Sequence, residues 1–292
     1  MAGPAAAGGR PVKVSYCPAG DRYVLVEYGD AELDLRLNFF VVRALAGLTA
    51  DPPPGFVEAA PGFRSILVHF DPARTSRAAL LDHLAAVHEL QPDVSSLVLP
   101  SRRISLPIAF DDSATRRAVE LYAATIRAAL YTEGGSNIDY IVAQNGLPDR
   151  EALYDKVLGS EWWTAFTGFS PGLPFTFSLR APTELSVPKY NPTRAWTPEG
   201  AVGMGGPCLA VFPVESPGSY QLIGRTVPIF DALAHNDVFA ASPFLVRAGD
   251  RLRFFRVEED ELTEIRRLVL ENRYRYEIAE EPFSVAGHLG RQ

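Results

Sequence analysis

The stretch Ala201-Val202-Gly203-Met204-Gly205-Gly206-Pro207-Cys208-Leu209-Ala210-Val211-Phe212 decides the fold, because it reads as two short apolar runs parted by a glycine-proline step. Runs of this length bounded by Gly and Pro read as strands. The texture continues on both sides, where residues 163–168, 174–179, 220–225 and 251–257 are further short apolar runs with the same punctuation. From Trp162 onward the pattern therefore predicts a β-barrel or sandwich. It closes with a helix at 259–271, whose Leu262, Ile265, Leu268 and Val269 share one face and suit docking on the barrel.

Upstream the rhythm changes. Residues 12–16, 23–28 and 65–70 have the β-branched and aromatic content of strands, whereas 31–47 and 77–90 carry helical periodicity. With 96–99 as a last strand, these form a small α+β domain over 12–100, after a disordered tail at 1–11. The segment Asp51-Pro52-Pro53-Pro54-Gly55 separates the first helix from the following strand. A basic, proline-flanked link at 100–103 leads into the second domain, 104–284. That domain opens with a strand at 104–110 and a helical insertion at 113–160, made of helices 113–131, 137–146 and 149–158. Ser113 and Asp149 suit N-caps, and Gly146 suits a helix stop. The fold class is α+β, with a small α+β domain followed by a barrel carrying inserted helices.

Composition bounds the function. The chain has 292 residues and 47% hydrophobic content, enough for two cores, and it reads as a soluble globular protein. No run of 18 apolar residues exists, which predicts no membrane span, and residues 1–10 lack the apolar core of a signal peptide. A net charge of −7 argues against a nucleic-acid partner. Cys17 and Cys208 offer no disulfide framework, fit a reducing cytoplasmic compartment, and read as buried small hydrophobes. The five histidines lack zinc-type spacing with cysteine, so no metal site is expected.

The densest chemistry lies in Lys189-Tyr190-Asn191-Pro192-Thr193-Arg194-Ala195-Trp196-Thr197-Pro198-Glu199-Gly200. Proline and glycine stiffen and shape this run, while a cation, an amide, a guanidinium, an indole and a carboxylate are carried on it. Lysine is scarce here, three residues against 25 arginines, which sets Lys189 apart from filler. A second loop, Ser216-Pro217-Gly218-Ser219-Tyr220-Gln221-Leu222-Ile223-Gly224-Arg225-Thr226, places Gln221 and Arg225 four apart on a strand, where they would project to one side. An amide and a guanidinium suit a carbonyl and an anion. A third loop, Gly168-Phe169-Ser170-Pro171-Gly172, adds aromatic walls, Ala248-Gly249-Asp250 reads as a hairpin turn leading into the strand at 251, and these loops are expected to ring one pocket. The third loop formally matches G-x-S-x-G, but Pro171 and the short strand that follows exclude the strand-turn-helix setting of a hydrolase elbow. A P-loop and a dinucleotide fingerprint are also lacking.

These loops, together with Gly249-Asp250-Arg251-Leu252-Arg253-Phe254, Gly20-Asp21-Arg22-Tyr23 and Leu106-Pro107-Ile108, resemble the allophanate hydrolase subunit 1 family over residues 12–283. That family includes a sporulation-kinase inhibitor, a 5-oxoprolinase subunit and half of the urea carboxylase carboxyltransferase domain. Residues 189–206 are most similar to urea carboxylase, whereas 168–174 looks like the inhibitor and oxoprolinase branch. Pro217-Gly218-Ser219 also departs from the family's Pro-Gly-Gly.

The resemblance implies a cyclophilin-like barrel and a small-molecule site shared with a subunit 2 type partner. It further implies a carboxyl group delivered by biotin on a separate carrier protein. Neither methionine, Met1 or Met204, adjoins a lysine, so this chain itself carries no biotinylation motif. The expected function is a carboxyltransferase-like or amide- and lactam-processing component that binds a urea-like or carboxylate-bearing substrate. Glu199, Arg225 and Lys189 are the expected catalytic residues. Tyr190, Asn191, Arg194, Trp196, Gln221, Thr226 and Phe169 are the expected substrate contacts. A kinase-inhibiting binding module and a stand-alone enzyme with a new substrate are the rival readings.

Overall fold

The computed structural model describes residues 12–89, 93–126 and 135–290. The expected tail at 1–11 and the end of the expected helix 113–131 lie outside them. The chain divides into two compact units, Met1–Pro100 with Pro282–Gln292, and Ser101–Glu281.

In the first unit, β1 (Val14–Pro18), β2 (Tyr23–Tyr28), β3 (Phe56–Pro61) and β4 (Ser65–Phe70) form an antiparallel sheet in the order β1-β2-β4-β3. Burial alternates along β2 and β4, so Val24, Val26, Tyr28, Ile66, Val68 and Phe70 face one way. They pack against Phe40, Val41, Ala44 and Leu48 of α1 (Leu35–Ala50) and Leu80 and Leu84 of α2 (Arg77–Glu89). Helix α1 starts later than the periodicity suggests because Asp34 caps it, accepting from Arg36 N at 2.9 Å. Strand β3 escapes sequence reading: it is an edge strand with a bulge, and its Val57-Glu58-Ala59-Ala60 shows no alternation. A short pairing of β5 (Val98–Leu99) with Phe283–Ser284 completes the unit.

The second unit contains a closed seven-strand barrel, as expected. Its strands are β6 (Arg102–Phe110), β7 (Trp162–Thr167), β8 (Pro174–Ser178), β10 (Ala201–Gly205), β11 (Cys208–Val211), β13 (Gln221–Arg225) and β14 (Arg251–Arg256). The order β13-β10-β11-β8-β7-β14-β6 closes when β13 pairs back to β6 at Gly224↔Phe110 and Arg225↔Ala109. Closure depends on Gly224, since a Cβ there would sit 2.3 Å from the Ala109 carbonyl oxygen. All neighbouring pairs are antiparallel except β6 with β14. Ala248-Gly249-Asp250 is thus no hairpin turn, because β14 takes its partners from β6 and β7 instead of the segment just before it.

Ile104, Leu106, Trp162, Met204, Leu209, Val211 and Ile223 are among the side chains of this core. Helices α3 (Ser113–Thr125), α4 (Asn137–Gln144) and α5 (Arg150–Leu158) follow β6, and α6 (Glu259–Leu270) follows β14. Asp149 caps α5 through Ala152 N at 2.8 Å, while the cap of α3 is Asp112, one residue ahead of Ser113. A two-stranded ribbon of β9 (Arg194–Thr197) and β12 (Ser216–Gly218), and β15 (Glu277–Glu280) on β6, complete the unit. Among the described residues, no helix is long and apolar enough to cross a membrane.

Candidate functional site

The residues singled out by sequence fall into two groups at the two ends of the β9 to β13 region, with one outlier. The first group gathers around Arg194, the first residue of β9, which pairs with Gly218 of β12. Its side chain is 1% exposed. Nη1 donates to the Tyr220 carbonyl at 2.9 Å, Nη2 donates to Thr197 Oγ1 at 3.1 Å, and the guanidinium carbon lies 4.8 Å from the centre of the Tyr190 ring. Nε is buried without a partner, and among the described residues no carboxylate comes within ion-pair reach. Burial pushes the Arg194 guanidinium down to about 10, with Tyr190 resisting the shift, so it stays charged at neutral pH.

Tyr190 is itself buried and fixed. Its hydroxyl accepts from Asn137 Nδ2 at 2.6 Å, its ring meets Tyr122 edge-on at 4.5 Å, and its N–H donates to Ser219 O at 2.7 Å. Asn137, the first residue of α4, also accepts from Leu222 N at 3.0 Å and so ties the helix to β13. Gln221 is fully buried: Nε2 donates to Pro188 O at 2.8 Å, whereas Oε1 has no partner among the described residues. Lys189 is exposed and holds its ammonium 5.2 Å from the centre of the Tyr220 ring. Asn191, which precedes a cis proline, is exposed, and Trp196 is half-buried. Cys208 sits beneath Tyr220, and burial pushes its thiol up to about 11, leaving it a protonated small hydrophobe; Cys17, by contrast, is only partly buried.

The second group is an ion cluster at the other end of β13. Arg225 Nε donates to the Glu199 carbonyl at 2.7 Å, and its Nη2 lies 3.6 Å from Glu199 Oε2. Arg266 of α6 binds the same carboxylate oxygen and donates to Thr226 O at 2.5 Å. Glu199 Oε1 is buried and, among the described residues, unpartnered. Burial and the adjacent Arg266 push the Arg225 guanidinium down, against Glu199, Asp112 and Glu215. Thr226 donates through Oγ1 to Pro107 O at 2.5 Å and anchors β13 to β6. Gly200, at φ +81°, makes the turn between Glu199 and β10, and a Cβ there would lie 2.6 Å from Thr226 O and 2.7 Å from Arg266 Nη1.

Gln221 and Arg225 are four apart but serve different groups. The β10–β13 register slips between Val202↔Gly224 and Gly203↔Leu222, and this bulge cancels the rule that alternate residues share a side. Phe169 is the outlier. It stands 71% exposed at φ +67° on the β7–β8 tip, whose Gly172 rests on Phe244. A shallow recess lined by Lys156, Ser160, Ser178 and Glu184 contains none of these residues.

Sequence reading missed Arg266, Asn137 and Tyr122. Arg266 lies within a helix whose plainest pattern is its apolar stripe, and Asn137 read only as a helix start. Among the described residues, no three His, Cys, Asp or Glu side chains gather as a metal site.

The closed barrel with its inserted helices belongs to a known class. Residues 14–240 match the carboxyltransferase domain, subdomain C and D, and the chain belongs to that family. It is 36% identical to the Saccharomyces cerevisiae urea amidolyase over 86% of its own length and 14% of that protein's. It is 28% identical to a 5-oxoprolinase subunit from Bacillus subtilis, over 82% of this chain and 91% of that one. The crystal structure of the Kluyveromyces lactis urea carboxylase superposes with a TM-score of 0.86 at 31% identity, covering 97% of this chain and 26% of that one. The chain thus spans a small part of the urea enzymes and nearly the whole of the oxoprolinase subunit.

Proposed function

We propose that this chain is the ligand-orienting half of a carboxyltransferase-type or lactam-processing assembly, and that it takes a small amide with an anionic oxygen at the Lys189-Tyr190-Arg194-Gln221 group. One observation carries the reading: Arg194 is a buried cation with no carboxylate within ion-pair reach among the described residues. An uncompensated buried charge costs several kcal/mol, and folds keep such groups where a ligand's charge offsets them. Lys189 adds a second positive charge at the surface, also without a carboxylate partner among the described residues. Gln221 Oε1 is a buried acceptor left unpaired among the described residues, and it suits an amide N–H.

Lys189 and Arg194 draw in and hold the anionic oxygen, Gln221 orients the amide, and Trp196 and Tyr190 wall the site. The chemistry is electrostatic preorganisation, worth several kcal/mol where donors are fixed in advance. Glu199 and Arg225 neutralise each other and, with Arg266, hold the turn that follows β9. Its partner in this reading is a subunit 2 homologue, for which the subunit name of the Bacillus subtilis relative gives support, and a separate biotin carrier would supply the carboxyl group.

The test reconstitutes the chain with such a partner and carrier and offers urea and 5-oxoproline in parallel. Loss of ligand-dependent turnover in Arg194→Met, with the fold intact by circular dichroism, is expected. Full turnover in that variant would overturn the assignment, and turnover by the purified chain alone would favour a stand-alone enzyme.

A further inference from the structure

A second chemically poised group lies on the loop between β13 and β14. Asp231 accepts three hydrogen bonds, from Leu233 N at 2.9 Å, His235 N at 2.8 Å and His235 Nδ1 at 2.9 Å. Burial works against ionisation of Asp231, but the bonds from Leu233 and His235 prevail and hold its carboxyl below the usual range. An ionised carboxylate at this distance takes the proton of Nδ1, so in the neutral imidazole Nε2 carries the lone pair. The ring is 43% exposed, and Nε2 has no partner among the described residues.

The loop is clamped on both flanks. Asp231 N donates to Pro243 O at 2.9 Å, and buried Asn236 donates to Tyr274 O at 2.9 Å. Between them Ala234 is held at φ +52°, an unfavourable conformation for alanine that delivers His235 onto Asp231. Other histidines differ: His88 has both ring nitrogens occupied by Tyr16 and Tyr28, His69 is stacked on Tyr23, and His288 is buried. Apolar surface adjoins the dyad in the 78% exposed Leu233 and in Phe244, which follows Pro243.

We propose that His235 is a nucleophilic histidine that accepts activated acyl groups with an apolar flank, and that Asp231 is its positioning residue. Nε2 attacks the carbonyl carbon, the bond to the leaving group breaks, and the leaving group departs with that electron pair. The Nδ1 proton stays shared with Asp231, whose charge balances the acylimidazolium. Water then releases the acid and a proton and restores the lone pair.

The test treats the full chain with limiting diethyl pyrocarbonate and reads each histidine by peptide mass spectrometry. His235 is expected to react at least about tenfold faster than His69 and His83, and Asp231→Asn to remove that advantage while the other rates hold. Imidazole 15N shifts of the unmodified protein should show Nε2 as the unprotonated nitrogen, a readout that needs no variant to fold. Equal rates among the histidines, an unchanged rate in Asp231→Asn, or a proton on Nε2 would each overturn the proposal.

Discussion

Arg194 and Arg225 stand 31 positions apart and were expected to act together, yet their surroundings are opposite. Arg225 is half-buried and shares the Glu199 carboxylate with Arg266. Arg194 is fully buried and meets, among the described residues, neutral oxygens and a tyrosine face. The first arrangement is a clamp between the Gly200 turn, β13 and α6, in which two guanidiniums share one carboxylate. The second leaves a donor and a charge unmatched. What lies within charge range thus separates the arginine proposed to meet a ligand from the one that holds the Gly200 turn.

The contrast can be broken most directly at Arg194. Arg194→Met should weaken an anionic amide ligand by about a hundredfold or more, by analogy with truncating one partner of a buried charge pair, as read by calorimetry on the assembled complex. The same variant should keep or raise the melting temperature, because replacing an uncompensated buried cation with an apolar side chain removes a desolvation cost. A large loss of stability would mean that Arg194 is structural after all.

Arg266→Ala should do the reverse. It should cost about 1–2 kcal/mol in urea denaturation, discounted for partial exposure, and leave ligand affinity within about threefold. Gly200→Ala tests the same clamp through the backbone, and about 1–2 kcal/mol of destabilisation is expected from the left-handed conformation alone.

The smallest effects concern two carboxylates beside Arg225. Asp112 is raised by burial, with Thr115 and Arg225 opposing, so its charge is a penalty at neutral pH. Asp112→Asn should therefore be neutral or mildly stabilising at pH 7, with any gain vanishing as acid protonates the wild-type group. Glu259 is lowered, chiefly by the hydrogen bond from the Ser113 hydroxyl. It stabilises the fold above the ordinary carboxylate range, and that contribution is lost as pH falls through its depressed value. Glu259→Gln should then be less stable than wild type at pH 7 and equal to it in acid, as chemical denaturation at both pH values would show.

Much of this was legible in the residues. The apolar runs at 163–168, 174–179, 201–204, 208–212, 220–225 and 251–257 each became a barrel strand, because a strand needs only local pattern and punctuation to announce itself. Strand β3 and the β9–β12 ribbon did not, since an edge strand takes its definition from its partner. The loop at 189–200 stood out by its composition, but its division into two groups was illegible. The bulge at Ile223 and the reach of Arg266 from α6 depend on contacts between segments up to 67 residues apart.

Sequence by itself determined the small α+β part, the barrel strands, the family and the side chains worth watching, since these rest on short-range pattern and residue chemistry. Tertiary structure alone decided which arginine is neutralised. Charge compensation is a matter of a few ångströms in space, and residues as distant in the chain as Glu199 and Arg266 meet only when the barrel has closed and α6 has docked.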